Sequence, residues 1–532
     1  MTKQTESIRK TYDQTPYQSR PFPQSAPERL QAIAHIFGVD APAASTARVL
    51  ELGCSAGGNL IAVAVRHPKL RAMGVDVSGV QIAYGQQVLQ SSGISNAELR
   101  QASIEEIDES WGTFDYIICH GVYSWVPEHV RNAILRVCQQ RLSSNGVAYI
   151  SYNTYPGWKS REILRDAMLL RRPEDDTPEN QLAYARGMLD FLQQHTPQDS
   201  MLKAALDENM AYIRTAPPSY LLHEFLEQHN APCYFKDFLA SAAEHGLSYL
   251  AEADLTCMFA NNYPSEMAQP LLRECKTQVQ FEQYLDFVGN RSFRQTLLIK
   301  AEQASQVQYT LQRARLQAMH FAGWFEPIAQ AGKSKASRKT EMHAQGINGG
   351  TVQLTGAVAV ALAKILHKTY PATRTMPDLA FAIVAQTDLP VATVTEEVAK
   401  TLTQLLISGQ VWARCQPVLL PKADKQRPKR VPGVHVWKLQ NTLGQAEHTT
   451  MACSLWHEAV VLDSLEQQLW QHADGTRDIA ALTQIVADAA RAGSVGFTVQ
   501  NQLVTDAQQQ QELAAQHTPQ AVARMRRCGL LA

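Results

Sequence analysis

Up to about residue 155, the chain alternates five short apolar runs with helix-like segments, and this alternation constrains the fold more than any other feature. The runs cover residues 48–52, 70–76, 97–101, 114–119 and 146–152, with amphipathic stretches such as 59–66, 78–91 and 127–142 between them. Apolar strands that alternate with helices form parallel sheets covered on both faces. The sequence therefore predicts a doubly wound α/β domain whose ligand site lies at the carboxyl ends of the strands.

Helical periodicity replaces this alternation behind residue 158. Successive helices are predicted over residues 161–171, 178–194, 201–215, 219–228, 236–245 and 281–288, and residues 306–328 are predicted to be extended. We therefore place a first domain at residues 1–158 and a mainly α-helical domain at residues 159–332.

Two basic segments divide the rest of the chain. The first contains Lys333, Lys335, Arg338 and Lys339, and because it lacks interleaved aromatic residues it indicates an exposed linker rather than a nucleic-acid contact. The second is a proline-containing linker over residues 422–432. Between them, three predicted helices and a strand indicate a winged-helix-like module at residues 346–420. Further helices predict a second helical or winged-helix-like module at residues 433–532.

Composition excludes several classes of protein. Lys and Arg total 49 and Asp and Glu total 50, so no global field attracts nucleic acid or an anionic membrane. The nine cysteines form no CxxC pair and no other metal-type spacing, which indicates reduced thiols and no metal site. The polar start is not a signal peptide, and the longest apolar stretch is too short to span a bilayer. We expect a cytoplasmic protein without stable membrane insertion.

The loop after the first predicted strand reads Glu51-Leu52-Gly53-Cys54-Ser55-Ala56-Gly57-Gly58-Asn59. Its glycines let the backbone turn tightly and approach a ligand closely. The middle glycine of the dinucleotide pattern G-x-G-x-x-G is missing, so a pyrophosphate is disfavoured. The acidic residue that opens the loop favours a ligand with a cationic end, such as the methionine part of S-adenosylmethionine.

Asp76 ends the second predicted strand, 23 positions after Gly53. In this type of fold an acid at that place accepts hydrogen bonds from both hydroxyls of a ribose. The alternative is a helix cap shared with Ser78. The spacing from the glycine loop favours ribose binding over the cap.

These two segments resemble the first two motifs of class I S-adenosylmethionine-dependent methyltransferases, which have a Rossmann-like fold. The resemblance implies that Glu51 lies near the methionine ammonium, that Gly53 packs along the cofactor and that Asp76 holds the ribose. It also implies adenine contacts from Ser103 and Ile104, although Ser103 replaces the acid usual in the family. The complete predicted cofactor set is Tyr17, Glu51, Gly53, Cys54, Ser55, Gly57, Asn59, Asp76, Val77, Ser103, Ile104, His120 and Gly121.

A narrower resemblance covers almost the whole chain. Residues 16–23 (Pro-Tyr-Gln-Ser-Arg-Pro-Phe-Pro), 120–127 (His-Gly-Val-Tyr-Ser-Trp-Val-Pro) and 152–158 (Tyr-Asn-Thr-Tyr-Pro-Gly-Trp) are similar to one bacterial subgroup. In that subgroup a methyltransferase domain precedes a methyltransferase regulatory domain, which segments 219–224 and 293–298 resemble. The subgroup includes rickettsial outer-membrane-protein lysine methyltransferases, so the resemblance implies a protein substrate.

Aromatic and polar residues follow the fourth and fifth predicted strands, beside the expected methyl position. An aromatic-lined pocket lowers the pKa of a lysine and attracts its methylated, cationic product. We predict a substrate wall or catalytic group from His120, Trp125, Tyr152, Asn153, Tyr155 and Trp158. The alternative is that the aromatic residues pack two domains together.

Segments outside the first domain could also reach this site. Tyr12, Tyr17 and Phe22 are predicted to fold over the cofactor as a lid, or else to form a simple strap. His223 and Glu224 either approach the active site from the helical domain or lie on a surface helix.

Three functions therefore compete. The first is methylation of lysines on a protein, the second methylation of a small molecule with the helical domain as a lid, and the third a non-enzymatic cofactor-sensing or DNA-binding regulator. The predicted helix at residues 393–407 offers DNA only Lys400 and Gln404, beside two glutamates, so we expect no nucleic-acid partner. The size of the C-terminal extension favours the first function over the second.

Overall fold

A computed structural model describes residues 3–14, 16–170, 177–227, 229–329, 340–440 and 449–532. At its centre is a seven-stranded sheet with the order β3-β2-β1-β4-β5-β7-β6. The first five strands are parallel, and β7 pairs antiparallel with both β5 and β6. The strands are β1 (Arg48–Leu52), β2 (Arg71–Asp76), β3 (Ala97–Gln101), β4 (Phe114–Cys119), β5 (Leu142–Asn153), β6 (Leu247–Glu252) and β7 (Phe293–Lys300).

Helices cover both faces of this sheet. Consecutive residues of β1 point to opposite faces, so Val49 joins the core beneath Leu60, whereas Leu50 joins the core beneath Ile134. The predicted doubly wound α/β, Rossmann-like fold is thereby confirmed. The helices of this part are α1 (Lys3–Gln14), α2 (Pro27–Ile36), α3 (Gly58–Arg66), α4 (Gly79–Ser91) and α5 (Glu128–Arg141).

The predicted domain boundary at residue 158 is wrong, because β6 and β7 come from the segment expected to be helical and complete the sheet of the first domain. Between β5 and β6 lies a helical insert with its own apolar core, which includes Leu164, Leu189, Leu206 and Phe225. The helices of the insert are α6 (Trp158–Leu170), α7 (Pro178–His195), α8 (Met201–Thr215) and α9 (Pro218–Phe225). They are followed by α10 (Phe235–Glu244), α11 (Ser265–Glu274) and α12 (Gln278–Val288).

Among the described residues, the first C-terminal module contains four helices and two small sheets, with the orders β11-β10-β9 and β12-β8-β13. Residues 306–328, predicted to be extended, contain only two short strands and a helix. Lys333, Lys335, Arg338 and Lys339, predicted to lie in a linker, are outside the described residues. The elements are α13 (Arg313–Gln317), β8 (His320–Ala322), β9 (Phe325–Pro327), β10 (Glu341–Gly346), β11 (Thr351–Thr355), α14 (Ala357–Thr369), β12 (Arg374–Thr375), α15 (Met376–Val384), α16 (Val391–Ile407) and β13 (Trp412–Arg414).

The second C-terminal module packs its three-stranded sheet against α3 of the first domain. Trp437, Met451 and Cys453 of this sheet form one buried cluster with Ala62. The elements are β14 (His435–Lys438), β15 (Thr450–Cys453), β16 (Ala459–Leu462), α17 (Ser464–His472), α18 (Ile479–Arg491), β17 (Thr498–Val499), β18 (Gln502–Leu503) and α19 (Ala507–Arg527). Among the described residues, no helix has both the length and the apolar character needed to cross a bilayer.

Candidate active site

A cavity of about 740 Å³ opens at the carboxyl ends of β1, β2 and β4. The N-terminal segment and the helical insert form its outer walls. Twelve of the thirteen predicted cofactor residues line it: Tyr17, Glu51, Gly53, Cys54, Ser55, Asn59, Asp76, Val77, Ser103, Ile104, His120 and Gly121.

Glu51, at the end of β1, supplies a buried carboxylate to this cavity. Its Oε1 accepts a hydrogen bond from Asn59 Nδ2 at 2.7 Å, whereas Oε2 is buried and has no partner among the residues that the structure describes. Burial raises the pKa of Glu51 to about 8. An unpartnered buried oxygen of this kind is matched by a cation, because a positive charge compensates the cost of desolvating the carboxylate. The methionine ammonium of S-adenosylmethionine therefore fits this position.

Asp76, at the end of β2, holds the loop after β1 in place. Its two oxygens accept the backbone N–H groups of Ser55 at 2.8 Å and Ser78 at 2.9 Å. Burial raises the pKa of Asp76, against the effect of these hydrogen bonds. Ser78 itself caps α4 by accepting from Gln81 N. Because each carboxylate oxygen has a second lone pair, Asp76 keeps acceptor capacity for a ribose diol.

The glycines of the loop have different tasks. Gly53 has φ of +73°, and a Cβ there would collide with Val122, so the backbone itself lines the cavity. Gly57, predicted to bind cofactor, does not line it. Gly57 has φ of +78° and precedes α3, and a Cβ there would lie 2.9 Å from Leu99 Cδ1. Its role is the turn and the packing against β3, and we correct the prediction accordingly.

Ser103 and Ile104 follow β3 at the expected place. Ser103 is the N-cap of a short 3₁₀ turn, and its N–H donates to Glu106 Oε2 at 3.1 Å. Ile104 presents an apolar wall to the cavity. The serine therefore shapes the turn, while the isoleucine offers a surface on which a planar ring can pack.

His120 follows β4 and lies half-buried beside Phe22, with the two ring centroids 3.9 Å apart. Its Nδ1 lies 2.8 Å from the hydroxyl of Tyr149. Burial, aided by Arg20, lowers the pKa of His120 to about 3. The imidazole is therefore neutral and too weakly basic to take a proton from an amine.

Only two residues of the predicted aromatic and amide set besides His120 line the cavity, namely Trp125 and Asn153. The structure does not bring Tyr152, Tyr155 and Trp158 into the lining of the cavity, because these side chains make other contacts. Trp158 is 1% exposed and packs edge-on against Trp125 at 6.1 Å.

The two tyrosines form specific contacts of their own. Tyr152 stacks on Phe238 at 4.1 Å, and its hydroxyl lies 3.0 Å from Thr296 Oγ1 of β7. The hydroxyl of Tyr155 donates to Glu162 Oε1 at 2.8 Å. For these residues the packing alternative holds, since they connect the sheet to α10 and to the helical insert.

The N-terminal segment lies over the cavity at the place expected of a lid. Tyr12, Tyr17 and Phe22 all line the cavity. Asp13 Oδ1 accepts from Ser78 Oγ at 2.7 Å, which fastens the end of α1 to the start of α4. These contacts cover the side of the cavity next to Asp76.

The helical insert contributes a wall that sequence reasoning largely missed, made of Arg161, Tyr212, Tyr220 and Glu224. Glu224 Oε1 lies 3.9 Å from Arg161 Nη1, and burial raises the pKa of Glu224 to about 7. Of the two insert residues singled out from the sequence, Glu224 reaches the cavity. His223 lies behind it, stacked on Tyr17 at 4.4 Å. The i,i+4 spacing of Tyr220 and Glu224 was the available signal for this wall.

Comparison with protein families gives three matches along the chain. A methyltransferase domain matches residues 49–146, a predicted methyltransferase regulatory domain matches residues 217–300, and the C-terminal winged helix domain of PKMT matches residues 439–530. The last match covers most of the second C-terminal module, which was expected to be helical or winged-helix-like.

Two curated relatives come from Rickettsia prowazekii (strain Madrid E). Protein RP789 is 41% identical over 292 residues, which is 54% of this chain and 52% of that protein. Protein RP028 is 38% identical over 247 residues, which is 46% of this chain and 96% of that protein. The alignment thus spans about half of the first relative and nearly all of the second.

One solved structure resembles the chain along its length. The structure of PKMT2 from Rickettsia typhi in complex with AdoHcy has a TM-score of 0.83 and 26% sequence identity. The match covers 97% of this chain and 100% of that one. The likeness therefore includes the sheet, the helical insert and both C-terminal modules.

Proposed function

Because this chain belongs to the S-adenosylmethionine-dependent methyltransferases with a regulatory domain, the family it shares with RP028, we propose that it methylates lysine side chains of a protein. The proposal includes S-adenosylmethionine as cofactor and a cytoplasmic location. PKMT2, which the chain matches from end to end, supports this acceptor class.

The observation that carries the proposal is one cavity with two acidic ends of different character. At the inner end, Glu51 offers an unpartnered buried oxygen and Asp76 offers free acceptor capacity, which suit an ammonium and a ribose. At the outer end, Glu224 lies among tyrosines of the insert and the N-terminal segment. When bound, S-adenosylmethionine supplies an electrophilic methyl group on a sulfonium, so the protein must align an amine and free its lone pair.

The outer wall suits a lysine in both of its protonation states. Aromatic faces of Tyr17, Tyr212 and Tyr220 attract an ammonium, and Glu224 pairs with it electrostatically. A methyl acceptor must be a neutral amine, so one proton must leave Nζ. Glu224, with a pKa of about 7, takes that proton near neutral pH. Trp125 and Asn153 then border the side chain on the opposite wall.

Transfer of labelled methyl groups tests this proposal. The full chain is incubated with S-adenosylmethionine labelled on the methyl group and a bacterial lysate, and the proteins are separated and hydrolysed in acid. We expect label in protein bands as methyl-lysine, lost with Asp76→Ala. Label only in small molecules would instead support a small-molecule methyltransferase with the insert as its lid.

A further inference from the structure

The second C-terminal module touches the cofactor loop through one buried side chain. His457 lies in the turn between β15 and β16, is fully buried and has φ of +65°, a conformation in which glycine is less strained. Its Nε2 lies 2.7 Å from Oδ1 of Asn59, at the start of α3. The imidazole therefore crosses from the last module into the wall behind the cavity.

Asn59 connects this imidazole to Glu51. Its Nδ2 donates to Glu51 Oε1 at 2.7 Å, and its Oδ1 accepts the N–H of Phe22 at 2.9 Å. Because a backbone N–H can only donate, the orientation of the Asn59 amide is fixed, and His457 must carry its proton on Nε2. His457 Nδ1 then accepts from Arg66 Nη2 at 3.0 Å, so both ring nitrogens are satisfied in the neutral imidazole.

An ion network fixes the turn that holds His457. Arg66 of α3 donates through Nη1 to Glu28 Oε1 at 2.8 Å and through Nη2 to the carbonyl of Ser454 at 3.1 Å. Arg414 of β13 donates to the carbonyl of Leu455 at 2.6 Å. The first domain and both C-terminal modules therefore meet at this turn, which restrains the imidazole from several sides.

We propose that His457 is a positioning residue for the methionine end of the cofactor, acting through Asn59 on the carboxylate of Glu51. The inference rests on the proposed function, because it takes the ammonium of the cofactor as the partner of Glu51. It extends that function by making the second C-terminal module a part of the cofactor site. Without the His457 proton, Asn59 Oδ1 keeps only the N–H of Phe22 at 2.9 Å and a longer contact from Ser25 Oγ at 3.4 Å, so the amide is held less firmly against Glu51.

A comparison of two ligands distinguishes the positioning role of His457 from a general contribution of this residue to the stability of the fold. S-adenosylhomocysteine carries the amino-acid end that Glu51 would bind, whereas 5′-methylthioadenosine lacks it. For His457→Ala, titration calorimetry should show roughly 5- to 10-fold weaker binding of S-adenosylhomocysteine, the loss expected for a buried hydrogen bond. The affinity for 5′-methylthioadenosine should change by no more than about twofold, which is the usual deviation between independent sites.

Three further variants make the test specific. His457→Gln places an N–H donor near Asn59 Oδ1 and should restore most of the affinity. Tyr84→Phe removes a different hydrogen bond to the same module, from Tyr84 to the carbonyl of Lys438 at 2.8 Å, and should change neither ligand. In an Asn59→Ala background, His457→Ala should add no further loss, because the connection to Glu51 is already broken.

Results that contradict only the positioning role differ from results that also contradict the proposed function. Unchanged binding of both ligands by His457→Ala, or equal loss of both, would overturn the positioning role while leaving the proposed function intact. Wild-type protein that fails to bind S-adenosylhomocysteine would overturn both proposals together.

Discussion

The charge of the candidate site depends chiefly on the protonation of one side chain, Glu51. A carboxyl whose pKa is raised by folding, from the ordinary 4.5 to about 8, holds more protons in the folded chain than in the unfolded chain between these values. The free energy of unfolding of the ligand-free protein therefore falls as pH rises through this window. A bound ammonium reverses the effect, since it favours the ionised carboxylate.

We predict that affinity for S-adenosylhomocysteine rises as pH rises from 6 to 8. Binding releases the proton of Glu51, so the gain approaches about tenfold per pH unit at most. Titration calorimetry at pH 6, 7 and 8 measures it, and proton release shows as a dependence of the heat on the buffer. Glu51→Gln should bind more weakly and without this slope, and a slope that survives in Glu51→Gln would assign the proton to another group.

At the other end of the cavity, we predict that Glu224→Gln lowers methyl transfer at pH 7 by about 100-fold, the usual range for a lost general base. Affinity for S-adenosylhomocysteine should change little, because Glu224 lies on the acceptor wall. The pH–rate profile of the wild type should rise through about 7, the pKa of Glu224, and the variant should lack this limb. A variant with an unchanged profile would show that Glu224 only shapes the wall.

Sequence reasoning identified the inner end of the cavity but little of its outer wall. Glu51, Gly53 and Asp76 belong to one strand–loop–helix–strand unit, so their spacing alone predicts their convergence. Tyr212 comes from a helix more than 130 positions beyond Asp76 and meets the site only through tertiary packing. His457 was not singled out at all, since nothing in its local sequence indicates a partner in α3.

Among the elements, β6 and β7 are the pair that the sequence did not reveal. Their apolar runs are short and lie in a segment dominated by helical periodicity, so local pattern favoured helices. These segments become strands because β7 pairs with β5, whose free edge in the parallel sheet offers unpaired backbone groups, and β6 then pairs with β7. Strands β1, β4 and most of β5 were predictable because they are buried on both faces and have nearly continuous apolar runs, whereas β3, in which only Leu99 is buried, was predictable from its place in the alternation of strands and helices.

A buried ion cluster fixes β6 and β7 to the helix behind them. Arg294 of β7 is fully buried and contacts Glu252 at 2.8 Å, Glu282 at 3.2 Å and Asp286 at 2.9 Å. Its guanidinium also lies over the ring of Phe235. Asp286 has a second cation, Arg291 Nε at 3.2 Å, whereas Arg294 is the cation shared by all three carboxylates.

We predict that Arg294→Ala lowers the free energy of unfolding by about 3–5 kcal/mol, because it leaves buried carboxylates uncompensated. Urea denaturation followed by circular dichroism measures the change. Arg100→Ala, which removes an exposed pair with Glu98, is the control and should cost less than about 1 kcal/mol. Equal effects of the two variants would contradict this account of the cluster.

The lid helix α1 is a second element with a defined attachment. Asp13 accepts from Ser78 at the start of α4, next to the proposed ribose site. We predict that Asp13→Ala raises the dissociation rate of S-adenosylhomocysteine about fivefold, the factor that corresponds to one lost hydrogen bond of about 1 kcal/mol. Stopped-flow displacement measures the rate, and Gln14→Ala, at an exposed neighbouring position, should leave it unchanged. Equal rates in wild type and Asp13→Ala would mean that α1 does not act as a lid.

At the scale of the whole molecule, Glu28 of α2 links the first domain to the first C-terminal module. It pairs with Arg66 at 2.8 Å and with Arg414 at 3.9 Å. Although burial alone would favour its neutral form, Arg66 and Arg414, with a hydrogen bond from His67, hold the pKa of Glu28 well below its ordinary value. A depressed carboxyl pKa contributes stability above its unfolded value of 4.5, and this contribution is lost as pH falls through the lower folded pKa.

We therefore predict that Glu28→Gln lowers the thermal midpoint at pH 7 and that this difference narrows as pH falls below about 4.5, where Glu28 takes up a proton in the unfolded chain but not yet in the folded one. Differential scanning calorimetry between pH 3 and 7 measures both midpoints. A constant difference across this range would show that the carboxylate charge of Glu28 does not hold the modules together.

The hydrogen bonds of the Asn59 amide also determine when the cofactor loop can be completed during synthesis. It requires Phe22 from the start of the chain and His457, which lies 398 positions beyond it. A ribosome must therefore have passed residue 457 before the loop after β1 is complete. On the proposed arrangement, a nascent or truncated chain holds the cofactor weakly, and methyl transfer is confined to chains that have finished folding.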